Sequence, residues 1–342
     1  MLIVTVSCNK ETVPGGTYVT FNLSTGGIMT RATTPGDGVV ATGGGISYSG
    51  ETPDLVLLIA KKSNGDIVMR YPTSGDLTSH SATAATVKFD FSGQTAGDYY
   101  VYAFANTSGL WTMTLDQTDP TKDINASDLT NSAKINNASQ LEALEFKALT
   151  PTSTTPTLQN SMLPLSAKGE LTVTGEKNGN VSLELLRCVA KVTAQFINNT
   201  GADLTLTSFS NYFQMMCPDR GYVVPHIPDY PADTLTGAIT ATESSITILN
   251  NQTLTKEWFV FPSTGPYTCD IYFTTGGRPY SYEGMRVTNN VMVDIPSISR
   301  NDNLIIETRI SKGLKVSFNF EVADWIIKRE GEQDEGEYVE FD

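Results

Sequence analysis

Residues suited to catalysis or metal binding are few in this 342-residue sequence: two histidines, four cysteines and one acidic run. His80 lies in Thr78-Ser79-His80-Ser81 and His226 in Pro225-His226-Ile227. Both settings are loop-like, and a solvated imidazole is expected in each rather than a positioned general base. Cys188, Cys217 and Cys269 have strand-like neighbours, and three thiols cannot all pair with one another. At least one therefore stays free and acts as a small buried apolar group. No two cysteines are spaced as a CxxC pair, and no Gly-x-Ser-x-Gly, HExxH or P-loop pattern occurs. The run Glu330-Gly331-Glu332-Gln333-Asp334-Glu335-Gly336-Glu337 does not follow calcium-loop spacing. Its repelling carboxylates and two glycines suit a solvated hinge that keeps the segment after it detached. No catalytic residue, metal site or cofactor is expected, and an enzyme is not the reading.

Charge narrows the partners. Twenty-three Lys and Arg stand against 37 Asp and Glu, a formal net charge of −14, with an isoelectric point near 4.6. Such a balance opposes binding to nucleic acid through bulk charge.

The chemistry that the sequence does offer is covalent processing near the N-terminus. Met1-Leu2-Ile3-Val4-Thr5-Val6-Ser7-Cys8 is apolar and turns polar at Asn9-Lys10-Glu11, as the end of a signal peptide does. Val6-Ser7-Cys8 is similar to a bacterial lipobox, which makes Cys8 the expected site of lipid attachment after export, although the basic start of a leader is missing. The plainer alternative is a short first strand with a buried cysteine. A second candidate is Arg31, a lone arginine in the stretch Ile28 to Gly38 that precedes small, polar and turn-forming residues, where the Arg31-Ala32 bond is a natural protease substrate.

These segments must be placed by strands, because two-residue alternation recurs throughout. Val19, Phe21 and Leu23 share one face, as do Val87, Phe89 and Phe91. The run Tyr99 to Ala105 is nearly all apolar, fit for a strand buried on both faces, and Leu314 to Val322 reads as a half-exposed antiparallel strand. Gly43-Gly44-Gly45, Asn64-Gly65, Asn178-Gly179 and Gly276-Gly277 supply turns. One helix is predicted, from Ala138 to Phe146, capped by Asn136 or Asn137. The fold class is all-β, most simply two antiparallel sandwiches in tandem, with the boundary near Lys168 and a proline-rich loop from Pro218 to Pro231 on the second.

One fragment occurs twice: Tyr18-Val19-Thr20-Phe21 and Tyr338-Val339-Glu340-Phe341 differ only at the third position. Two unrelated edge strands would explain the match. The other explanation starts from a cut after Arg31, which would free the strand carrying Tyr18, Val19, Phe21 and Leu23. Unpaired backbone groups beside an apolar groove would remain. A second molecule's Tyr338, Val339 and Phe341 could fill it by β-strand addition. That contact is heterologous, so repetition builds a filament.

With these residues in view, the chain resembles the Bacteroidales fimbrillins, the lipoprotein pilins of type V pili, over essentially its full length. The resemblance rests on Val6-Ser7-Cys8, Thr30-Arg31-Ala32, the run Gly97 to Asn106, Leu163-Pro164-Leu165, Leu186-Arg187-Cys188-Val189-Ala190-Lys191-Val192, Ser299-Arg300-Asn301 and Val322-Ala323-Asp324-Trp325. It implies two transthyretin-like β-sandwich domains, lipidation at Cys8 in an outer-membrane precursor, and cutting between Arg31 and Ala32 by an arginine-specific protease. It further implies donation of the 338–341 strand to another copy or a related subunit in a cell-surface fimbrium. The implied divisions are a residual signal segment at 1–8, a cleavable strand at 9–31, and sandwiches at 32–168 and 169–342. Loss of residues 1–31 removes Lys10, Glu11 and Arg31, a net +1, so the mature chain carries −14 − 1 = −15. Possession of both a cleavage site and a donor strand favours a polymerising shaft subunit over an accessory or tip-proximal one. The rival class is a monomeric surface lipoprotein that binds glycan or host protein, with Trp111, Trp258, Tyr267, Tyr272, Tyr280 and Tyr282 as a stacking platform; core packing is their other use.

Overall fold

Period-two alternation becomes β-sheet almost wherever it occurs, with most strand pairs antiparallel. A computed structural model describes residues 17–25, 45–49, 52–81, 83–106, 112–148, 163–174, 179–208, 212–232, 234–239, 243–289, 291–295 and 297–324. The N-terminal half contains β1 (Tyr18–Ser24), β2 (Leu55–Lys61), β3 (Ile67–Tyr71), β4 (Gly75–Ser81), β5 (Ala84–Asp90), β6 (Gly97–Ala105), β7 (Leu165–Val173) and β8 (Gly179–Glu184). One sheet runs β8-β1-β5-β4, and a second runs from Leu186–Arg187 through β7-β6-β2-β3. Their inward residues share one apolar cluster, which includes Phe21, Val87, Val101 and Leu171.

β6 is buried on both faces, as its apolar run requires. Val101 and Ala103 point into this cluster, whereas Tyr102 and Phe104 join another beneath residues 113–146. The one α-helix among the described residues, α1 (Ala138–Glu142), starts at Asn137, whose side chain accepts from Ser139 N. It is shorter than predicted. Glu145–Phe146 turns extended and pairs with Met113–Thr114, because Phe146 is drawn into the cluster under β6.

The C-terminal half contains β9 (Ala190–Asn199), β10 (Leu204–Thr207), β11 (Ser245–Ile248), β12 (Thr253–Val260), β13 (Thr268–Thr275), β14 (Arg278–Arg286), β15 (Asp302–Ser311) and β16 (Val316–Asp324). One sheet runs β12-β9-β15-β16; in the other, β13 carries β14 on one side and β10, followed by β11, on the other. Together they enclose a separate apolar cluster. Gly276 and Gly277, both at positive φ, make the tight β13–β14 turn. β16 is antiparallel and half-exposed: Phe318 is 8% exposed, Val322 40%.

The boundary near Lys168 is corrected by the sheets. Lys168 lies inside β7, and β7 and β8 both belong to the N-terminal sheets. The chain changes halves between Arg187 and Ala190. Alternation restarting at Leu171 marks a strand, but periodicity does not say which sheet receives it. His80 is also corrected: it sits exposed in edge strand β4, not in a loop.

Candidate functional site

The repeated fragment's first copy, β1, is an interior strand of its sheet. It runs parallel to β8 and antiparallel to β5. Val19 lies opposite Phe89 and Gly179, Phe21 opposite Val87 and Val181, and Leu23 opposite Ala85 and Leu183. All three side chains are essentially unexposed, at 1%, 0% and 1%. The Phe21 ring meets that of Phe89 edge-on, with centroids 5.6 Å apart. Backbone bonds close both ends: Phe91 N donates to Thr17 O at 2.6 Å, Leu185 N to Ser24 O at 2.7 Å, and Thr25 N to Thr83 O at 2.9 Å.

Without β1, β5 and β8 would border a slot with three apolar pockets in series. The neighbours do not depend on β1 alone, since β5 remains paired to β4 and β8 leads through Leu185 into Leu186–Arg187 beside β7. On the solvent face, the Lys88 ammonium sits 4.0 Å from the centre of the Tyr18 ring. Asp90, also on that face, is held below the usual carboxylate range by hydrogen bonds from Ser92 and, to a lesser degree, by Lys88.

Several sequence-predicted sites lie outside the described residues: Cys8, Arg31, Ala32, Trp111, Trp325, the acidic run 330–337 and Tyr338, Val339 and Phe341. The other aromatics are used for packing. Tyr267 is buried, Tyr280 and Tyr282 stack on Phe273 at 5.4 and 6.0 Å, Trp258 packs against the C-terminal core, and Tyr272 donates to Glu283. Cys188, Cys217 and Cys269 are free and buried, and burial raises all three thiol pKa values, that of Cys217 to about 12. Among the described residues no group of three or more His, Cys, Asp and Glu is placed to hold a metal. No helix among them is long and apolar enough to cross a membrane.

The proline-rich loop does something that the sequence reading missed: it joins the two halves. Phe146 N donates to Gly221 O and Val223 N to Leu144 O, Arg220 lies 3.1 Å from Glu145, and His226 stacks on Tyr222 at 3.9 Å. Beneath the loop, Arg300 grips Asp229 with Nε and Nη2 at 2.8 Å and donates through Nη1 to Ser166 on β7 at 2.9 Å. Arg187 donates to Asn301 at 2.8 Å. The Arg187 and Asn301 motifs were visible separately; Asp229 and Ser166 carried no local signal.

The sequence profile of the fimbrillin-A associated anchor proteins Mfa1 and Mfa2 matches residues 13–331. The chain belongs to this fimbrial protein family. No curated protein matches its sequence. Among solved structures, a candidate cell adhesion protein from Bacteroides eggerthii is similar, with 15% identity, a TM-score of 0.54 and coverage of 92% of this chain and 98% of that one. Another from Parabacteroides distasonis shows 11% identity, a TM-score of 0.55 and coverage of 92% and 99%. At these identities the likeness establishes the shared all-β fold. Membership places the chain among fimbrial subunits of the cell surface, in a family of structural proteins and not enzymes.

Proposed function

We propose that the chain is a structural subunit of a cell-surface fimbria that polymerises by β-strand exchange. The precursor is exported and anchored in the outer membrane through lipid on Cys8, and an arginine-specific protease cuts the Arg31-Ala32 bond. β1 leaves, and residues 338–341 of another copy, or of a related subunit, take its slot. The observation that carries this reading is β1 itself: an interior strand whose buried Val19 and Phe21 recur, in the same order and spacing, as Val339 and Phe341.

The slot also supports one register. With Val339 in place of Val19 and Phe341 in place of Phe21, Glu337 falls at the position of Thr17, at the end of the slot. A shift of two residues one way buries Glu337 in the Val19 pocket, and an unpaired buried carboxylate is costly. The opposite shift pushes Phe341 into the Val19 pocket beside Gly179, which holds the smaller valine.

The test is digestion of purified precursor with an arginine-specific protease, followed by N-terminal sequencing and sizing without denaturant. A cut leaving Ala32 first, with oligomers that vanish when residues 338–342 are deleted, supports the reading. Clean cutting at Arg31 with a permanently monomeric product favours a surface lipoprotein that binds glycan or host protein. The family's description as anchor proteins favours a second reading, an accessory subunit at one end of the fibre. Labelling on intact cells separates the two, because a shaft subunit lies along the fibre and an accessory subunit at a single point.

A further inference from the structure

The two Tyr-Val-x-Phe copies bring the same residues to the buried pockets, so burial at those two positions does not prefer the incoming strand over the expelled one. Their single difference is on the solvent face: Thr20 in β1, Glu340 in the other copy. In the β1–β5 ladder Thr20 lies directly opposite Lys88. Its other neighbour, on β8, is the neutral Asn180. Lys88 has Asp76 opposite it on β4 and Asp90 two residues along β5, but the β1 residues across from it, Thr20 flanked by Tyr18 and Asn22, carry no carboxylate.

We infer that Lys88 selects the incoming strand by pairing with Glu340 of a second copy, an ion pair that Thr20 does not make. The inference rests on the strand exchange and register proposed above. Tyr338, at the Tyr18 position, keeps the same ammonium over its ring, so the strand gains the carboxylate without giving up the cation–π contact. Asp76 and Glu340 would flank Lys88 from opposite sides, two strand spacings apart (about 9–10 Å), which limits their mutual repulsion. The preference is modest, since opposite-charge cross-strand pairs at exposed sites change an equilibrium by about 1.5- to 5-fold. In a repeating filament it acts at every joint and opposes return of the cut strand.

The test uses two full-length proteins. The acceptor is cut after Arg31 and carries Phe341→Asp, so it cannot donate; the donor carries Arg31→Ala, so its own slot stays filled. Mixed, they stop at a dimer, whose dissociation constant is measured at low salt. Glu340→Thr in the donor is expected to weaken the dimer about 1.5- to 5-fold, with the difference vanishing near ~0.5 M salt, where screening is short-ranged. Lys88→Glu in the acceptor is expected to weaken it further, and Lys88→Glu with Glu340→Lys to restore it. Wild-type dimers alongside unchanged Glu340→Thr and Lys88→Glu affinities, or a charge swap that restores nothing, would overturn the pairing but leave strand exchange standing. If the unmodified donor and acceptor surfaces give no dimer, strand exchange itself fails, and the pairing with it.

Discussion

Phe21→Ala is the substitution that separates a removable capping strand from an ordinary core strand. Once the chain is cut after Arg31, only non-covalent contacts hold β1, and Phe21 is the largest of its three buried side chains, fully unexposed and edge-on to Phe89 at 5.6 Å. Truncating a buried Phe to Ala costs about 3–5 kcal/mol. If the side chain leaves the core before its replacement arrives, release accelerates by as much as about two to nearly four orders of magnitude, at 1.36 kcal/mol per tenfold. The assay uses protein lacking residues 338–342, so that nothing refills the slot; the sample is cut, and the free 1–31 fragment is followed by rapid filtration and mass spectrometry. Thr20→Ala, on the solvent face of the same strand, is the control and is expected to change release by less than about threefold, within ~0.5 kcal/mol. A Phe21→Ala fragment that stays bound as long as the wild-type fragment would show that Phe21 is not what retains the strand.

Four further outcomes follow from the structure. Asp229→Asn should lower stability by about 3–5 kcal/mol, visible as a fall in melting temperature, because the Arg300 guanidinium, 5% exposed, loses its bidentate partner; an unchanged melting temperature would show that the clasp between the halves is not energetically important. Gly169→Ala should cost about 1–3 kcal/mol in denaturant unfolding, since a Cβ there would press on the buried Leu183 side chain of β8 and force it to shift. Burial pushes the Cys217 thiol and the Tyr267 phenol up to about 12. The stability from both groups is complete below their ordinary values of 9.0 and 10.0 and is lost as pH rises towards 12, because the unfolded chain releases its protons first. Urea midpoints should therefore fall from about pH 9 upward, and the three buried thiols should resist labelling near neutral pH until the protein unfolds.

The strands were legible where side-chain periodicity alone determines them. Val87, Phe89 and Phe91 show their buried face in the sequence, and the unbroken apolar run of β6 announces a strand covered on both sides. Pairing was not legible. β1 finds its parallel partner β8 some 160 residues later, and nothing local to Gly179–Glu184 says that it closes the N-terminal sheet. The same non-locality misplaced the boundary at Lys168, inside β7. Helical spacing from Ala138 to Phe146 broke at Ala143 because Phe146 gains more by joining the cluster under β6 than by extending a short helix. At the candidate site, the repeated fragment and the buried alternation of β1 were readable. The position of Lys88 opposite Thr20 depends on strand register, which only the folded chain reveals. The proline-rich loop shows the same limit: its prolines signal irregular backbone, whereas its role as a clasp depends on Glu145, Ser166 and Arg300, all distant in sequence.

Cysteine trapping shows whether the slot vacated by β1 receives residues 338–341 of another copy in the register of Tyr18–Phe21. Lys88→Cys and Glu340→Cys in one chain place a thiol on each side of the proposed joint, directly across the ladder. A ladder of disulfide-linked oligomers is expected on a non-reducing gel after cutting at Arg31, absent from the uncut Arg31→Ala protein and from either single-cysteine variant. Oligomers that form after cutting without cross-linking, or cross-links that form equally without cutting, would contradict that placement.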